Sequence, residues 1–226
     1  MHIHILSIFP SMFEGFLTES ILKKAVDKGL VQIKIHDFRE FGIQSGIRQQ
    51  VDDYAFGGGA GMVMRIEPIV NCLEDIQKDG PFDEIIYLTP DGVIFTQNTA
   101  NELSLKKKIA LICGRYKGID QRIRDHFVTR EISVGDYVVS GGELPAAIVT
   151  DAVVRLIPGV LGDESSALTD SFQGELLDAP LYTRPEDFRG LKVPDVLLSG
   201  DHQKITEWRD AEALKKTEQR RPDYIK

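Results

Sequence analysis

The chain has 226 residues, enough for one large domain or for one domain plus a small second one, each able to close its own core. Apolar residues at 42% and charged residues at 27% exclude a disordered or fibrous chain, and no run approaches the roughly 20 apolar residues of a membrane helix. A formal charge of −8, if spread evenly, opposes a nucleic-acid partner, and the two cysteines, Cys72 and Cys113, have neither the number for a disulfide framework nor the spacing for structural zinc.

His2–Ser7 reads as a buried first strand. It lacks a basic lead and a small-residue cleavage site, so a signal peptide is not expected, and the protein is expected in the cytoplasm with no membrane contact. Ser20–Gly29 sets Ile21, Leu22, Ala25 and Val26 among lysines and stops at glycine, as a helix does. Val31–His36 is the second strand. Phe56-Gly-Gly-Gly-Ala-Gly61 has the spacing of a dinucleotide loop but not its context: Val51–Ala55 is no buried strand and Met62–Arg65 opens no clear helix. A substrate-facing loop and a plain turn both remain open for it. Glu67–Lys78 carries Pro68 in its first turn and stops at Gly80, which predicts a helix.

Three further apolar runs, Glu84–Leu88, Lys108–Cys113 and Thr129–Val134, read as strands, and Glu143–Leu156 as a helix stopped by Pro158-Gly159. Strands separated by helices predict an α/β fold with a parallel sheet, in three layers. Gly162–Ser166 is polar and aperiodic, so residues 161–175 are expected to form a flexible linker between a domain over 1–160 and a small, mainly helical domain over 176–226. The segment Tyr182–Lys226 has ten Lys and Arg against nine Asp and Glu, so basic groups concentrate there relative to the rest. A nucleic-acid grip and an ordinary solvated helix face both fit that pattern.

Glycines and short polar residues gather at three strand ends: Tyr87-Leu-Thr-Pro-Asp-Gly92, Cys113-Gly-Arg-Tyr-Lys-Gly-Ile-Asp-Gln-Arg122 and Ser133-Val-Gly-Asp-Tyr-Val-Val-Ser-Gly-Gly-Glu-Leu-Pro145. In a parallel sheet these ends share the carboxyl edge, where open α/β folds bind ligands, and glycine lets backbone N–H and C=O groups approach a ligand closely. Each loop alone is equally a tight turn. No Walker A sequence, Gly-x-Ser-x-Gly elbow or His-Glu-x-x-His is present.

The three loops, together with Val51-Asp-Asp-Tyr-Ala-Phe-Gly-Gly-Gly-Ala-Gly-Met-Val-Met64, Ile157-Pro-Gly-Val-Leu161, Asp170-Ser-Phe172 and Tyr182-Thr-Arg-Pro185, closely resemble the bacterial tRNA (guanine-N1)-methyltransferase family, TrmD. The match covers nearly the whole chain. The resemblance implies a SPOUT-type parallel sheet whose C-terminal part is threaded into a trefoil knot, a homodimer with the active site at the subunit interface, S-adenosylmethionine as methyl donor and tRNA as substrate. The methyl acceptor it implies is the guanosine immediately 3′ of the anticodon. Carried over position by position, the donor-holding residues are Tyr87, Leu88, Thr89 and Pro90; Gly114, Arg115 and Tyr116; and Ser133, Val134, Gly135, Asp136, Tyr137, Val138, Val139, Gly141 and Gly142. Asp170 matches the general base and Arg155 the residue that stabilises the target guanine.

Two positions depart from the family. Ala60 stands where proline is usual, and Lys117 stands where glutamate is usual, an acid associated with magnesium dependence, which makes any magnesium requirement here uncertain. Two rivals follow from the same residues: a nicotinamide-dependent oxidoreductase using Gly57–Gly61, and an RNA-binding module without catalysis.

Overall fold

The computed structural model describes residues 1–45, 48–162, 171–174 and 176–225. The chain divides into two compact units, Met1–Gly162 and Asp163–Lys226. In chain order the first contains β1 (His2–Ser7), α1 (Glu14–Leu17), α2 (Ser20–Asp27), β2 (Gln32–Asp37), β3 (Ile43–Ser45), β4 (Arg48–Gln50), β5 (Asp52–Tyr54) and β6 (Met62–Met64). It continues with α3 (Ile66–Gln77), β7 (Glu84–Ile94), α4 (Gln97–Ser104), β8 (Lys108–Cys113), α5 (Gln121–His126), β9 (Arg130–Ser133) and α6 (Glu143–Val154).

The central sheet has five strands in the order β2-β1-β8-β7-β9, every pair parallel. The inner strands β1 and β8 are buried along nearly their whole length because both faces are covered, whereas the edge strand β2, Gln-Ile-Lys-Ile-His-Asp, alternates polar and apolar residues. Ile3 and Ile5 of β1, and Ile109 and Leu111 of β8, join a core with Leu22 of α2, Leu103 of α4 and Val149 and Val153 of α6. Their sequence neighbours Leu6, Ala110 and Ile112 point the other way, into a second core with Ile69, Cys72, Leu73 and Ile76 of α3 and Ile123 of α5. Each fully buried aliphatic side chain contributes roughly 2 kcal/mol. The period-2 alternation of the strands thus specifies a three-layer α/β fold. Cys72 and Cys113 are free and buried in these two cores.

Two short antiparallel ladders depart from the parallel plan, β3 with β4 and β5 with β6. The second places the glycine run 57–61 at a hairpin turn. Its strands are stitched to the loop after β8: Lys117 N–H donates to Met62 O at 3.0 Å, Met64 N–H to Gly118 O at 2.9 Å and Asp120 N–H to Met64 O at 2.9 Å.

β7 is interrupted. Leu88 and Val93 both register with Ile132, so residues 89–92 bulge from the sheet before the strand rejoins β9. Gly92 makes the return possible, since a Cβ there would lie 2.7 Å from the backbone of Glu131 and Ile132.

The second unit, taken by itself, contains a two-stranded ladder, β10 (Asp187–Phe188) with β11 (Leu191–Lys192), then α7 (Asp195–Leu198) and α8 (His202–Arg220). Asp201 caps α8 by accepting the Lys204 N–H at 3.2 Å. Ala213 and Thr217 are buried one turn apart on α8, and the Thr217 hydroxyl donates to Ala213 O at 2.7 Å while accepting the Leu177 N–H at 2.9 Å. No described helix is long and apolar enough to cross a membrane.

Candidate active site

The loops that leave β7, β8 and β9 meet at the carboxyl edge of three adjacent strands and enclose a cavity of about 320 Å³, within the range of small-ligand pockets. Large side chains such as Tyr87, Arg124 and Ile132 form part of its walls, and glycines bring backbone close at other points. A Cβ on Gly142 would lie 2.6 Å from Cys113 Cα, and one on Gly114 would lie 2.8 Å from the Tyr87 ring. The Gly142 N–H donates to Gly114 O at 2.9 Å, and Arg115 and Gly141 form a β-bridge, so the β8 and β9 loops close on each other. Tyr116 holds a left-handed conformation, φ 60°, rare for a bulky residue and a local strain at the pocket wall.

Two arginines brace the cavity. Arg115 faces Glu143 in the first turn of α6, which is 2% exposed; Nε lies 3.1 Å from Oε2, close enough for an ion pair but not aligned as a hydrogen bond. Ser7 Oγ donates to the other carboxylate oxygen at 2.7 Å, and the Arg115 guanidinium covers the Phe9 ring at 4.5 Å. On the opposite wall Arg124 donates to Glu131 at 2.7 and 2.6 Å and to Asp91 at 2.8 Å, and lies 5.4 Å over the Tyr87 ring. Asp91, in the bulge, also accepts from Thr89 Oγ1. The Thr89 hydroxyl and then Arg124 hold the Asp91 carboxyl below the usual range, while burial pushes the Tyr87 phenol up. Arg124 therefore ties the bulged segment 89–92 to β9.

Of the donor-holding residues expected from the sequence, Tyr87, Leu88, Thr89, Pro90, Gly114, Arg115, Tyr116, Ser133, Val134, Gly135, Tyr137, Val138, Val139, Gly141 and Gly142 all line this cavity. Asp136 does not. The Tyr137 N–H donates to Gly135 O at 2.8 Å, a three-residue turn that puts Asp136 at its outer corner with the side chain exposed. Asp91, Gly118, Arg124, Ile132, Ser140 and Pro145 also line the cavity; of these Arg124 matters most, since it joins partners on two strands, Tyr87 and Asp91 on β7 and Glu131 on β9. Lys117 also lines the cavity, with its aliphatic stem against Gly61. Arg155 is half-buried at the C-terminal end of α6, ten residues beyond Pro145 and hence about 15 Å along the helix axis from the cavity. Asp170 lies outside the described residues, as does most of the expected linker 161–175. Among the described residues no three His, Cys, Asp or Glu side chains form a group that could hold a metal ion.

The family model for tRNA (Guanine-1)-methyltransferase TrmD matches residues 1–226. Among curated relatives, the tRNA (guanine-N(1)-)-methyltransferase of Chlorobaculum tepidum is 55% identical over 225 residues, covering 100% of this chain and 97% of the relative. The proteins of the same name from Bacteroides thetaiotaomicron and Christiangramia forsetii are 52% and 51% identical over 225 residues, covering 100% of this chain and 99% of each relative.

Proposed function

This chain belongs to the TrmD family of tRNA (guanine-1)-methyltransferases, and from that premise we propose that it transfers the methyl group of S-adenosylmethionine to N1 of the guanosine immediately 3′ of the anticodon. The observation that carries the assignment of the donor site is the convergence of the β7, β8 and β9 loops on one cavity in which Gly114, Gly141 and Gly142 make close approaches. Backbone brought this close suits an adenine, whose edge is read by backbone N–H and C=O groups, and the cradle at Gly114, Gly141 and Gly142 has no room for side chains. The donor supplies an electrophilic methyl on a positive sulfonium.

The residues proposed for the acceptor act on the guanine. N1 carries a proton and is a poor nucleophile until that proton leaves; the Asp170 carboxylate accepts it as the N1–CH₃ bond forms and the sulfur–carbon bond breaks. Negative charge developing on the ring spreads to O6, where the Arg155 guanidinium meets it. The distance of about 15 Å along α6 between Arg155 and the cavity favours an active site completed by a second chain, with the donor pocket of one subunit facing Arg155 and Asp170 of the other. The closure of the 133–142 loop on 114–115 is in keeping with a knotted C-terminal part of the methyltransferase domain over residues 1–160. Residues 161–175 would then act as a linker and 176–226 as the tRNA-gripping domain of a cytoplasmic enzyme. Removing the residues after 175 tests this division: donor binding should persist while methylation of tRNA is lost. A truncated chain that still methylates tRNA efficiently would refute the division.

A further inference from the structure

A second cavity, of about 710 Å³, lies on the outer side of the β5–β6 hairpin and the start of α5. Its features differ from those of the donor pocket. Tyr54 and Phe56 line it, 78% and 103% exposed, so the ring of Phe56 is entirely in solvent. The same cavity is lined by Arg65, paired with Asp53 at 2.9 Å and Glu67 at 3.1 Å, and by Arg122, paired with Asp120 at 2.7 Å. The Nε of Arg65 is buried with no hydrogen-bond partner, a donor whose desolvation is not repaid within the chain. Two bare aromatic rings beside guanidinium and carboxylate groups form a surface for a flat heteroaromatic ring, with donors and acceptors for its edge. Three carboxylates against two guanidiniums disfavour a phosphate in the same place.

The hairpin is not independent of the donor site. Met64 bonds through its backbone to Gly118 and Asp120, its sulfur accepts the Arg115 N–H at 3.1 Å, and Lys117 bonds to Met62, so residues that line the second cavity are hydrogen-bonded to residues that line the first. We propose that Tyr54 and Phe56 form a stacking platform for a base of the tRNA next to the guanosine that is methylated, with Arg65 and its carboxylate partners at the edge of that base. The inference rests on the tRNA-methylating function proposed above and adds a contact through which the first unit itself grips the RNA. Stacking against an aromatic ring holds a flanking nucleotide clear of its neighbours, so the target base can leave the stack.

The test uses the full chain, with Tyr54→Ala, Phe56→Ala and the double variant, alongside Phe56→Tyr. The KM for unmodified tRNA should rise on the order of tenfold for each ring removed, while calorimetric affinity for S-adenosylmethionine stays unchanged and Phe56→Tyr stays near the parent. A tRNA carrying 4-thiouridine on either side of the target guanosine should cross-link, on irradiation, to the peptide containing Tyr54 and Phe56. Unchanged KM in the double variant, or cross-links only elsewhere, would overturn the proposal. So would a fall in oligomeric mass accompanying the loss, which would assign the rings to contact between two copies of the chain. If the parent chain itself transfers no methyl group to tRNA, the function has failed rather than the platform.

Discussion

Arg115→Ala is expected to destabilise the first unit strongly, because it strands a buried charge. Glu143 is 2% exposed and keeps only the Ser7 hydroxyl once the guanidinium at 3.1 Å is gone. Breaking a buried pair in this way costs about 3–5 kcal/mol. The low end applies here, about 3 kcal/mol, since the contact is not aligned as a hydrogen bond and Ser7 remains. Loss of the guanidinium from the Phe9 face, 4.5 Å away, adds about 0.5–1 kcal/mol. For a unit of this size that is a fall in Tm of roughly 7–15 °C. Glu143→Gln should cost less, because Arg115 at 17% exposure can still reach water whereas a lone carboxylate in the core cannot. Calorimetric unfolding of the three proteins, with the double variant closing the cycle, reads these terms. A loss below about 1 kcal/mol for Arg115→Ala, or a larger loss for Glu143→Gln, would refute the reasoning.

Arg124→Gln should weaken donor binding about tenfold, equivalent to about 1.4 kcal/mol, by freeing the 89–92 segment. Stability should change little because its partners Asp91 and Glu131 are partly exposed; calorimetric titration of S-adenosylmethionine against a melting curve separates the two effects. His4, hydrogen-bonded to His36 at 2.9 Å, has its pKa lowered to about 4 by burial first and then by His36, with Lys108, Lys34 and His2 adding to the effect. The unfolded chain takes up that proton near 6.5 and the folded chain does not, so stability should be fully present above about 6.5 and fall by about 3 kcal/mol toward pH 4. Urea unfolding between pH 4 and 7 should show a shallower acid slope in His4→Phe; identical slopes would exclude the pair as the cause. Asp170→Ala should reduce single-turnover methylation by about 10²–10⁴ with donor affinity nearly intact, and a rate near the parent's would remove Asp170 as the base. Lys117, where the family usually has glutamate, lines the proposed donor pocket, and at about 4 Å and an effective dielectric near 20 its charge would oppose each unit of a metal ion's charge by roughly 4 kcal/mol before desolvation. Activity in EDTA should therefore largely persist, and Lys117→Glu should make it respond to magnesium; full loss in EDTA with no altered response in the variant would show that this position does not govern the metal.

The central sheet was legible because strands buried on both faces are rich in β-branched and other apolar residues: His2–Ser7 and Lys108–Cys113 occupy the residues expected of them. Elements at the surface left weaker signals. β5 and β6 pair over three residues each, and Tyr54 stands in solvent, so there is no apolar alternation to read. α4, Gln-Asn-Thr-Ala-Asn-Glu-Leu-Ser, buries only Ala100 and Leu103, and α5 buries only Ile123. The convergence of three glycine-bearing loops on one cavity followed from their position after parallel strands. Arg124 did not follow, because its meaning lies in Asp91 and Glu131, which only the strand order brings beside it. Asp136 shows the converse: it lies within a matching motif, yet a three-residue turn sends it outward.

The most direct measurement is transfer of labelled methyl from S-adenosylmethionine to unmodified tRNA, followed by digestion and mass spectrometry of the fragments and nucleosides. The proposed function predicts label in 1-methylguanosine alone, within the fragment that follows the anticodon. Absence of transfer, or label on another base or on ribose, would contradict it.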